Sequence, residues 1–191
     1  AVAVLFAREG ADIAILYLDE EQDAQTTKAA VEAEGRSCLC IAGDVKDHEF
    51  CKQVVTQVVD RYGKINILVN NAAFQEHAPS LLDITPERWD ETFKTNIYGY
   101  FNMAQAVIEH LQSGDAIINT SSVTALTGSA ELIDYSSTKG AILAFTYSLA
   151  SNLAPKGIRV NAVAPGPVWT PLNPADRPSE EIPDFGKDTV F

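Results

Sequence analysis

The stretch DYSSTKGAI, residues 134–142, places Tyr135 four residues before Lys139. Residues four apart on an α-helix lie on one face, one turn above the other. If this segment is helical, a phenol and an ammonium group lie close together. An ammonium nearby stabilises phenolate and lowers the tyrosine pKa from its usual value of about 10. The pair is therefore either an acid–base site for neutral pH or a surface contact worth a few tenths of a kcal/mol.

Ser122 is the third residue with suitable chemistry, because it ends an apolar segment shortly before the Tyr135 helix begins. A serine hydroxyl beside a phenol can donate a hydrogen bond to a carbonyl oxygen. Together the three side chains can polarise a carbonyl and protonate it, or take a proton from an alcohol. None of them can supply a hydride, so the pattern predicts a cofactor.

The segments that carry these residues alternate between two hydrophobic periods. Short apolar runs predict buried strands within residues 11–18, 37–45, 65–72, 115–122 and 158–165. Helical patterns cover residues 1–9, 20–34, 47–62, 86–111 and 133–153, and a Pro-rich, acidic composition after Pro165 indicates a loop. The alternation predicts an α/β fold: a doubly wound parallel sheet of the Rossmann type, covered by helices in three α/β/α layers.

Ligands of such sheets bind beyond the carboxyl ends of the strands. The polar residues that end the predicted strands should therefore line one cleft. They are Asp44, Asn70–Asn71, Ser121–Ser122 and the PGPVWT segment at 165–170.

Composition excludes several classes of protein. The chain has 191 residues, of which 46% are hydrophobic and 21% charged, as expected for one soluble domain with a real core. Its net charge of −12 argues against binding nucleic acid or an anionic membrane surface. No apolar run reaches the roughly 18 residues of a membrane span, and no signal peptide is visible. We expect a cytoplasmic protein.

Cysteine and histidine usage predicts no metal site. Cys38 and Cys40 alternate along a predicted strand, and Cys51 lies in a predicted helix. No second pair of cysteines or histidines stands at ligand spacing, so we interpret all three as plain buried thiols. The three histidines are scattered along the chain.

Six motifs occur in an order and spacing that make the resemblance specific. They are GDV at 43–45, NNAA at 70–73, TNIYGYF at 95–101, INTSS at 118–122, YSSTK at 135–139 and RVNAVAPGPVWTP at 159–171. The chain resembles the short-chain dehydrogenase/reductase family over essentially all of residues 1–175. The resemblance is strongest to a bacterial branch of glucose/ribitol-dehydrogenase-like or aldehyde-reductase-like oxidoreductases.

This resemblance implies a role for each catalytic candidate. Tyr135 would be the general acid/base, and Lys139 would lower its pKa and hold the nicotinamide ribose. Ser122 would orient the substrate oxygen. Asn96 would keep a water that relays protons between Lys139 and solvent, although it could instead satisfy backbone groups between a strand and a helix.

The resemblance also implies contacts to a nicotinamide dinucleotide. Tyr135 and Lys139 would touch the nicotinamide ribose, Asp44 and Val45 the adenine. The adenosine side would be met by Asn71, Ala72 and Ala73, and the nicotinamide end by Pro165, Gly166, Val168 and Thr170.

Three departures from the family pattern stand out. The Gly-rich turn and the strand before it are absent, and the chain stops where family members continue. We therefore expect residues 1–191 to be one truncated NAD(P)-binding domain, incomplete at both ends, with 166–191 as a partial substrate-loop region. The missing strand would lie centrally, between the strands at 11–18 and 65–70. Ala73 also stands where glycine is usual, a difference that the named branch shares.

Cofactor choice depends on the end of the strand at 11–18. Tyr17 and Leu18 occupy the deciding positions, three acids follow at 19–21, and no nearby cation is available for a 2′-phosphate. The sequence therefore favours NAD, with NADP as the alternative.

The predicted function is hydride transfer between a nicotinamide cofactor and a small alcohol, sugar, aldehyde or ketone. A catalytically silent relative that serves as a binding or assembly module, or an inactive fragment, is the alternative. Substrate identity would depend on loops 74–84, 123–133 and 168–191, where Phe74 and Trp169 suggest an apolar wall.

The resemblance further implies a homodimer or homotetramer built on the helices at 86–111 and 133–153. Their apolar residues exceed what one face against a sheet requires: Phe93, Ile97, Tyr100, Phe101, Val107, Ile142, Phe145, Tyr147 and Leu149. The alternative is that all of them pack within one subunit.

Overall fold

A computed structural model of the chain describes residues 1–168, 170 and 172. Trp169 and most of the predicted substrate-loop region lie outside the described residues. In chain order the main elements are α1 (Val2–Arg8), β1 (Ile13–Tyr17), α2 (Glu21–Ala33), β2 (Cys38–Ala42), α3 (His48–Tyr62), β3 (Ile67–Asn70), α4 (Pro86–Phe93), α5 (Gly99–Val107), β4 (Ala116–Thr120), α6 (Thr124–Thr127), α7 (Ile133–Leu153) and β5 (Arg159–Val163).

The predicted α/β architecture is confirmed. All five strands fall inside the predicted apolar runs and all of their pairings are parallel, with helices on both sides. Each strand is shorter than its run and begins and ends inside it. Helix α7 has the predicted bounds, residues 133–153.

The strands form two separate sheets in the described part of the chain. In one, β1 pairs with β2, Ile13 lying opposite Cys38. In the other, the order is β3-β4-β5, so that the ends of β3, β4 and β5 meet at one edge. No ladder joins β1 to β3 among the described residues. The expectation that a central strand belongs between them stays a prediction.

Residues 1–191 expressed alone should aggregate or fold only partly, because β1 and β3 each present an unpaired edge in the described part of the chain. We also expect this chain not to bind NADH with useful affinity, since phosphate sites of this kind need a helix N-terminus beside a Gly-rich turn. Nicotinamide fluorescence during an NADH titration measures the binding. Saturation at micromolar NADH by a soluble, cooperatively melting 1–191 chain would contradict the prediction.

Two hydrophobic clusters correspond to the two sheets. The larger one joins α3, α5 and α7 to β3, β4 and β5 around Val107, Ile117 and Leu153, which are 1%, 0% and 1% exposed. The smaller one packs α1 and α2 on the β1–β2 pair around Val31. The larger cluster therefore fixes α7 against β4 and β5, the elements that surround the candidate site.

The predicted single helix at 86–111 is wrong in detail. Thr85 caps α4 as predicted, its Oγ1 accepting a hydrogen bond from the Arg88 amide at 3.2 Å. A π-helical turn at Lys94–Tyr98 then interrupts the α-helix, and α5 ends at Val107. The turn contains the fully buried Asn96, whose side chain is hydrogen-bonded to the loop after β3. Inserted residues of this kind are frequent at functional sites.

Gly99 allows α5 to approach the loop after β2. A Cβ atom at this position would lie 2.8 Å from Val45 Cγ2, closer than real side chains come. Among the described residues, sequence analysis also missed three short helical segments: the 3₁₀ turns Leu81–Asp83 and Ala154–Lys156, and α6. All three are too short to show a hydrophobic period.

The apolar residues predicted to exceed one helix face on the two long helical segments divide into two groups. Tyr100, Val107 and Ile142 are buried within the subunit. Phe101 and Tyr147 remain 47% and 69% exposed.

The cysteines are free thiols. Cys38 and Cys51 are buried as predicted, whereas the prediction of a buried thiol is wrong for Cys40, which is half-buried. Burial raises the pKa of Cys38 to about 12 and that of Cys51 to about 11, which keeps both thiols protonated and unreactive.

The described residues contain no group of three or more His, Cys, Asp or Glu side chains that could hold a metal ion. None of the helices within them combines the length and apolarity needed to cross a membrane.

Candidate active site

The structure brings Ser122, Tyr135 and Lys139 to one place at the edge of the three-stranded sheet. Ser122 follows β4 directly, and the other two lie one turn apart near the start of α7. All three are buried, and Lys139 Nζ lies 5.2 Å from the centroid of the Tyr135 ring. The proximity inferred from their spacing is therefore present. Their catalytic roles stay predictions.

The Lys139 side chain is almost completely enclosed by protein. Its Nζ donates to the Thr120 carbonyl oxygen at 2.8 Å, and the Tyr100 hydroxyl donates to the same oxygen at 3.1 Å. The Tyr100 ring centroid is 5.6 Å from Nζ. Burial lowers the pKa of Lys139 to about 8 and raises that of Tyr100. Lys139 is still mainly protonated at neutral pH, so a positive charge lies beside the phenol of Tyr135.

Ser122 is oriented by the short helix that follows it. Its Oγ accepts hydrogen bonds from the Thr124 amide at 3.2 Å and from the Thr124 hydroxyl at 3.0 Å. Because Oγ is the acceptor in both, the Ser122 hydroxyl donates in neither of these contacts, and a hydroxyl proton can bond the oxygen atom of a substrate.

Two further contacts hold the end of β4 against its neighbours. Ser121 Oγ donates to the Lys139 carbonyl oxygen at 2.8 Å, and the Val123 amide donates to the Pro165 carbonyl at 3.0 Å. The catalytic candidates and the segment predicted to meet the nicotinamide are thus tied together through the backbone.

Asn96 makes the contacts expected from its alternative interpretation. Its Oδ1 accepts from the Phe74 amide at 2.7 Å, and its Nδ2 donates to the Phe74 carbonyl and to Thr138 Oγ1, both at 3.0 Å. The side chain therefore pins the loop after β3 to α7, next to Lys139. The water relay that the resemblance implies stays a prediction.

The strand-end prediction holds only for alternate residues. Asn71 is exposed, whereas Asn70 is 4% exposed and donates to Asn119 Oδ1 at 3.0 Å inside the sheet. Ser121 is likewise buried, while the Ser122 hydroxyl faces α6. Assigning Asn70 and Ser121 to the cleft was therefore wrong, because Asn70 bonds the neighbouring strand and Ser121 bonds the backbone of α7.

The predicted cofactor contacts lie in the loops after β2, β3 and β5. Asp44 accepts from the Lys46 amide at 2.9 Å, and its carboxylate lies 3.3 Å from Lys46 Nζ. The remaining residues are exposed or half-buried: Val45, Asn71, Ala72, Ala73, Pro165, Gly166, Val168 and Thr170. Backbone and small side chains on an open edge, next to a buried ammonium, fit the ribose hydroxyls and flat rings of a dinucleotide.

Sequence analysis missed a buried ion pair beside Tyr135. Asp134 is 1% exposed, and its carboxylate meets Arg88 and Thr92 of α4. The only available signal was a carboxylate next to the tyrosine, because a partner 46 residues away cannot be read from spacing.

Comparison with known proteins places this geometry in a family. A sequence profile described as Enoyl-(Acyl carrier protein) reductase matches residues 1–188. A crystal structure of a short-chain dehydrogenase from Burkholderia cenocepacia J2315 in complex with NADP superimposes with a TM-score of 0.87. It is 34% identical, over 95% of this chain and 75% of that one. The chain belongs to the short-chain dehydrogenase/reductase family.

Among the curated members of the short-chain dehydrogenase/reductase family, the uncharacterized oxidoreductase YhdF of Bacillus subtilis is 57% identical over 189 residues. These cover 99% of this chain and 65% of YhdF. Glucose and ribitol dehydrogenase of Daucus carota is 45% identical, over 98% of this chain and 67% of that protein. The chain thus spans about two thirds of the length of these relatives.

Proposed function

We propose that the full-length protein is a nicotinamide-dependent oxidoreductase of small alcohols, sugars, aldehydes or ketones. The observation that carries the proposal is the buried Lys139 ammonium, 5.2 Å from the Tyr135 ring and on the same face of α7. Burying this charge opposes folding, since it lowers the Lys139 pKa to about 8. A silent binding module has no need of such a costly group.

The chain's own residues account for the proton chemistry. A bound nicotinamide dinucleotide would supply the hydride, or accept it in the reverse direction. Ser122 and Tyr135 would hold the substrate oxygen through their hydroxyl protons. In reduction, Tyr135 Oη gives its proton to that oxygen, and the adjacent Lys139 ammonium stabilises the phenolate left behind. In oxidation, the phenolate takes the proton of the alcohol. Lys139 would also hold the nicotinamide ribose.

The experiment that tests the proposal is a substrate screen. The full-length protein is given NADH or NADPH together with small aldehydes, ketones and sugars, and loss of the reduced nicotinamide absorbance is followed. We expect turnover with at least one small carbonyl compound. A folded protein that binds the cofactor and reduces none of them would contradict the proposal.

We expect NADH to be preferred over NADPH, although the Burkholderia protein was crystallised with NADP. Glu21 begins α2 next to the end of β1, and the Tyr17 hydroxyl donates to its carboxylate. Hydrogen bonds from Tyr17 and Gln25 lower the Glu21 pKa, which keeps the carboxylate ionised. Repulsion of a 2′-phosphate at about 4 Å in water is about 1 kcal/mol, so kcat/KM should differ by roughly fivefold.

Matched variants test whether Glu21 causes this preference. Glu21→Gln should reduce the difference in kcat/KM between NADH and NADPH. Glu32→Gln, at the other end of α2, should leave this difference unchanged. A wild-type protein with the higher kcat/KM for NADPH would refute the NAD preference.

We also propose that the full-length protein forms a homodimer or homotetramer through α5 and α7. The exposed Tyr98, Phe101 and Tyr147 provide the apolar surface for such an interface. Light scattering at micromolar concentration should show at least a dimer. Phe101→Asp combined with Tyr147→Asp should lower the mass, whereas Leu82→Asp, at a 92% exposed site outside these helices, should not. A wild-type monomer would contradict this prediction.

A further inference from the structure

The ion pair between Arg88 and Asp134 lies directly before the catalytic tyrosine candidate in the chain. Arg88 Nε donates to Asp134 Oδ2 at 3.1 Å, and Thr92 Oγ1 donates to the same oxygen at 2.8 Å. The two side chains of the ion pair are 11% and 1% exposed. The pair therefore joins α4 to the first turn of α7 in a nearly dry environment.

The Arg88 guanidinium has a second set of partners. Its Nη2 donates to the Glu76 carbonyl oxygen, and its Nη1 donates to the His77 carbonyl oxygen at 3.4 Å. Both carbonyls belong to the loop between β3 and the 3₁₀ turn at 81–83. One planar side chain thus connects this loop to the helix that carries Tyr135 and Lys139.

The same loop is anchored on both sides of these contacts. Asn96 holds the amide and carbonyl of Phe74, and the Ala78 amide donates to the Glu131 carbonyl oxygen at 2.8 Å. Residues 74–78, here called the wall segment, therefore run from the end of β3 past the start of α7 with a fixed course. Every anchor comes from an element next to Ser122 or Tyr135.

We propose that Arg88 and Asp134 are positioning residues that fix the wall segment relative to Tyr135 and so set the substrate-binding surface. The consequence for substrate rests on the proposed function, and the anchoring itself does not. Asp134 holds the guanidinium in place, and the guanidinium holds the two carbonyls. Lysine cannot replace it, because a single ammonium lacks the rigid fork that spans a carboxylate and two carbonyls.

Stability alone is a weak explanation for the pair. Two charges removed from water lose about as much hydration as they gain from each other, and apolar residues of similar volume are often as stable in their place. If the pair served stability alone, a protein with two apolar residues in place of Arg88 and Asp134 would behave as wild type in every measurement. If the pair positions the wall segment, the same protein would be as stable as wild type but its wall segment would be more mobile.

Two variants of the full-length protein separate these roles. Arg88→Lys keeps a charge beside Asp134 and removes the fork. Arg88→Met combined with Asp134→Leu removes both charges. Lys94→Met is the control, because Lys94 pairs with Asp90 on the surface of the same region. The readouts are melting temperature, hydrogen exchange of the Phe74 and Ala78 amides, and steady-state kinetics with the best substrate of the screen.

We expect Arg88→Lys and the double variant to melt near wild type while the Ala78 amide exchanges at least about tenfold faster. KM for the carbonyl substrate should rise by about tenfold, the size of one hydrogen bond to a charged group, with KM for the nicotinamide cofactor unchanged. Lys94→Met should change neither the exchange rate of the Ala78 amide nor the KM for the carbonyl substrate. If the Ala78 amide of a folded variant exchanged at the wild-type rate, the proposal would be overturned. Failure of both variants to fold would also overturn it, because the pair would then have a stabilising role only.

The exchange measurement needs no substrate. A wild-type protein without turnover would therefore refute the proposed function, and the Ala78 amide would still decide whether Arg88 anchors the wall segment.

Discussion

Tyr135→Phe should lower turnover of the full-length protein by at least about a hundredfold while NADH or NADPH binding stays close to wild type. The substitution keeps the aromatic ring, and with it the packing of a residue that is 8% exposed. It removes only the hydroxyl that exchanges a proton with the substrate. A positioned acid–base group contributes about a hundredfold to ten thousandfold in rate.

Tyr147→Phe is the matched control for this experiment. Tyr147 lies on the same helix, is 69% exposed, and should lose its hydroxyl without effect on turnover. Near-wild-type turnover in Tyr135→Phe would end the assignment of Tyr135 as the acid–base group.

Lys139→Met should make the cofactor-free, full-length protein more stable at pH 7, by up to about 3 kcal/mol, and nearly abolish turnover. Burial lowers the Lys139 pKa from 10.5 to about 8, and each pKa unit corresponds to about 1.4 kcal/mol. Because the folded pKa is the lower one, between pH 8 and 10.5 Lys139 is mainly protonated in the unfolded chain and mainly neutral in the folded protein. Wild-type stability therefore gains from this group as pH rises through that window, and below it the penalty is present in full.

Denaturant unfolding of wild type and Lys139→Met at a series of pH values measures the difference. The two free energies of unfolding should differ most at pH 7 and converge between about pH 8 and 10.5, the window set by the two pKa values. Burial sets this window, and the aromatic rings that face Nζ are those of Tyr100 and Tyr135. A Lys139→Met variant that is less stable than wild type at pH 7 would contradict the prediction, because the contacts of the ammonium would then stabilise the folded protein.

The sequence predicts the framework well because its periods are strong. All five strands fall inside the predicted apolar runs, and α7 has the predicted bounds although its apolar residues do not form one clear stripe. The spacing of Tyr135 and Lys139 is a local property of one helix, so their proximity could also be predicted. The π-helical turn that contains Asn96 could not, because no local pattern marks it and the Asn96 side chain bonds Phe74, 22 residues earlier in the chain.

Long-range polar contacts explain the other errors. Asn70 looked like a cleft residue, yet its amide bonds Asn119 on the neighbouring strand, a partner that only the parallel register brings opposite. No sequence pattern links Arg88 and Asp134. Only the packing of α4 against α7 buries them together, and this packing depends on contacts between elements some 46 residues apart in the chain.

Deuterium transfer tests the central claim most directly. The full-length protein is given reduced nicotinamide dinucleotide labelled at the transferable position, together with the carbonyl compounds of the screen, and the alcohols formed are analysed by mass spectrometry. We predict one deuterium on the carbinol carbon of at least one product, and at least about a hundredfold less labelled product with Tyr135→Phe. A folded wild-type protein that binds the labelled cofactor and transfers no deuterium to any compound, or a Tyr135→Phe variant that transfers it at the wild-type rate, would contradict the account.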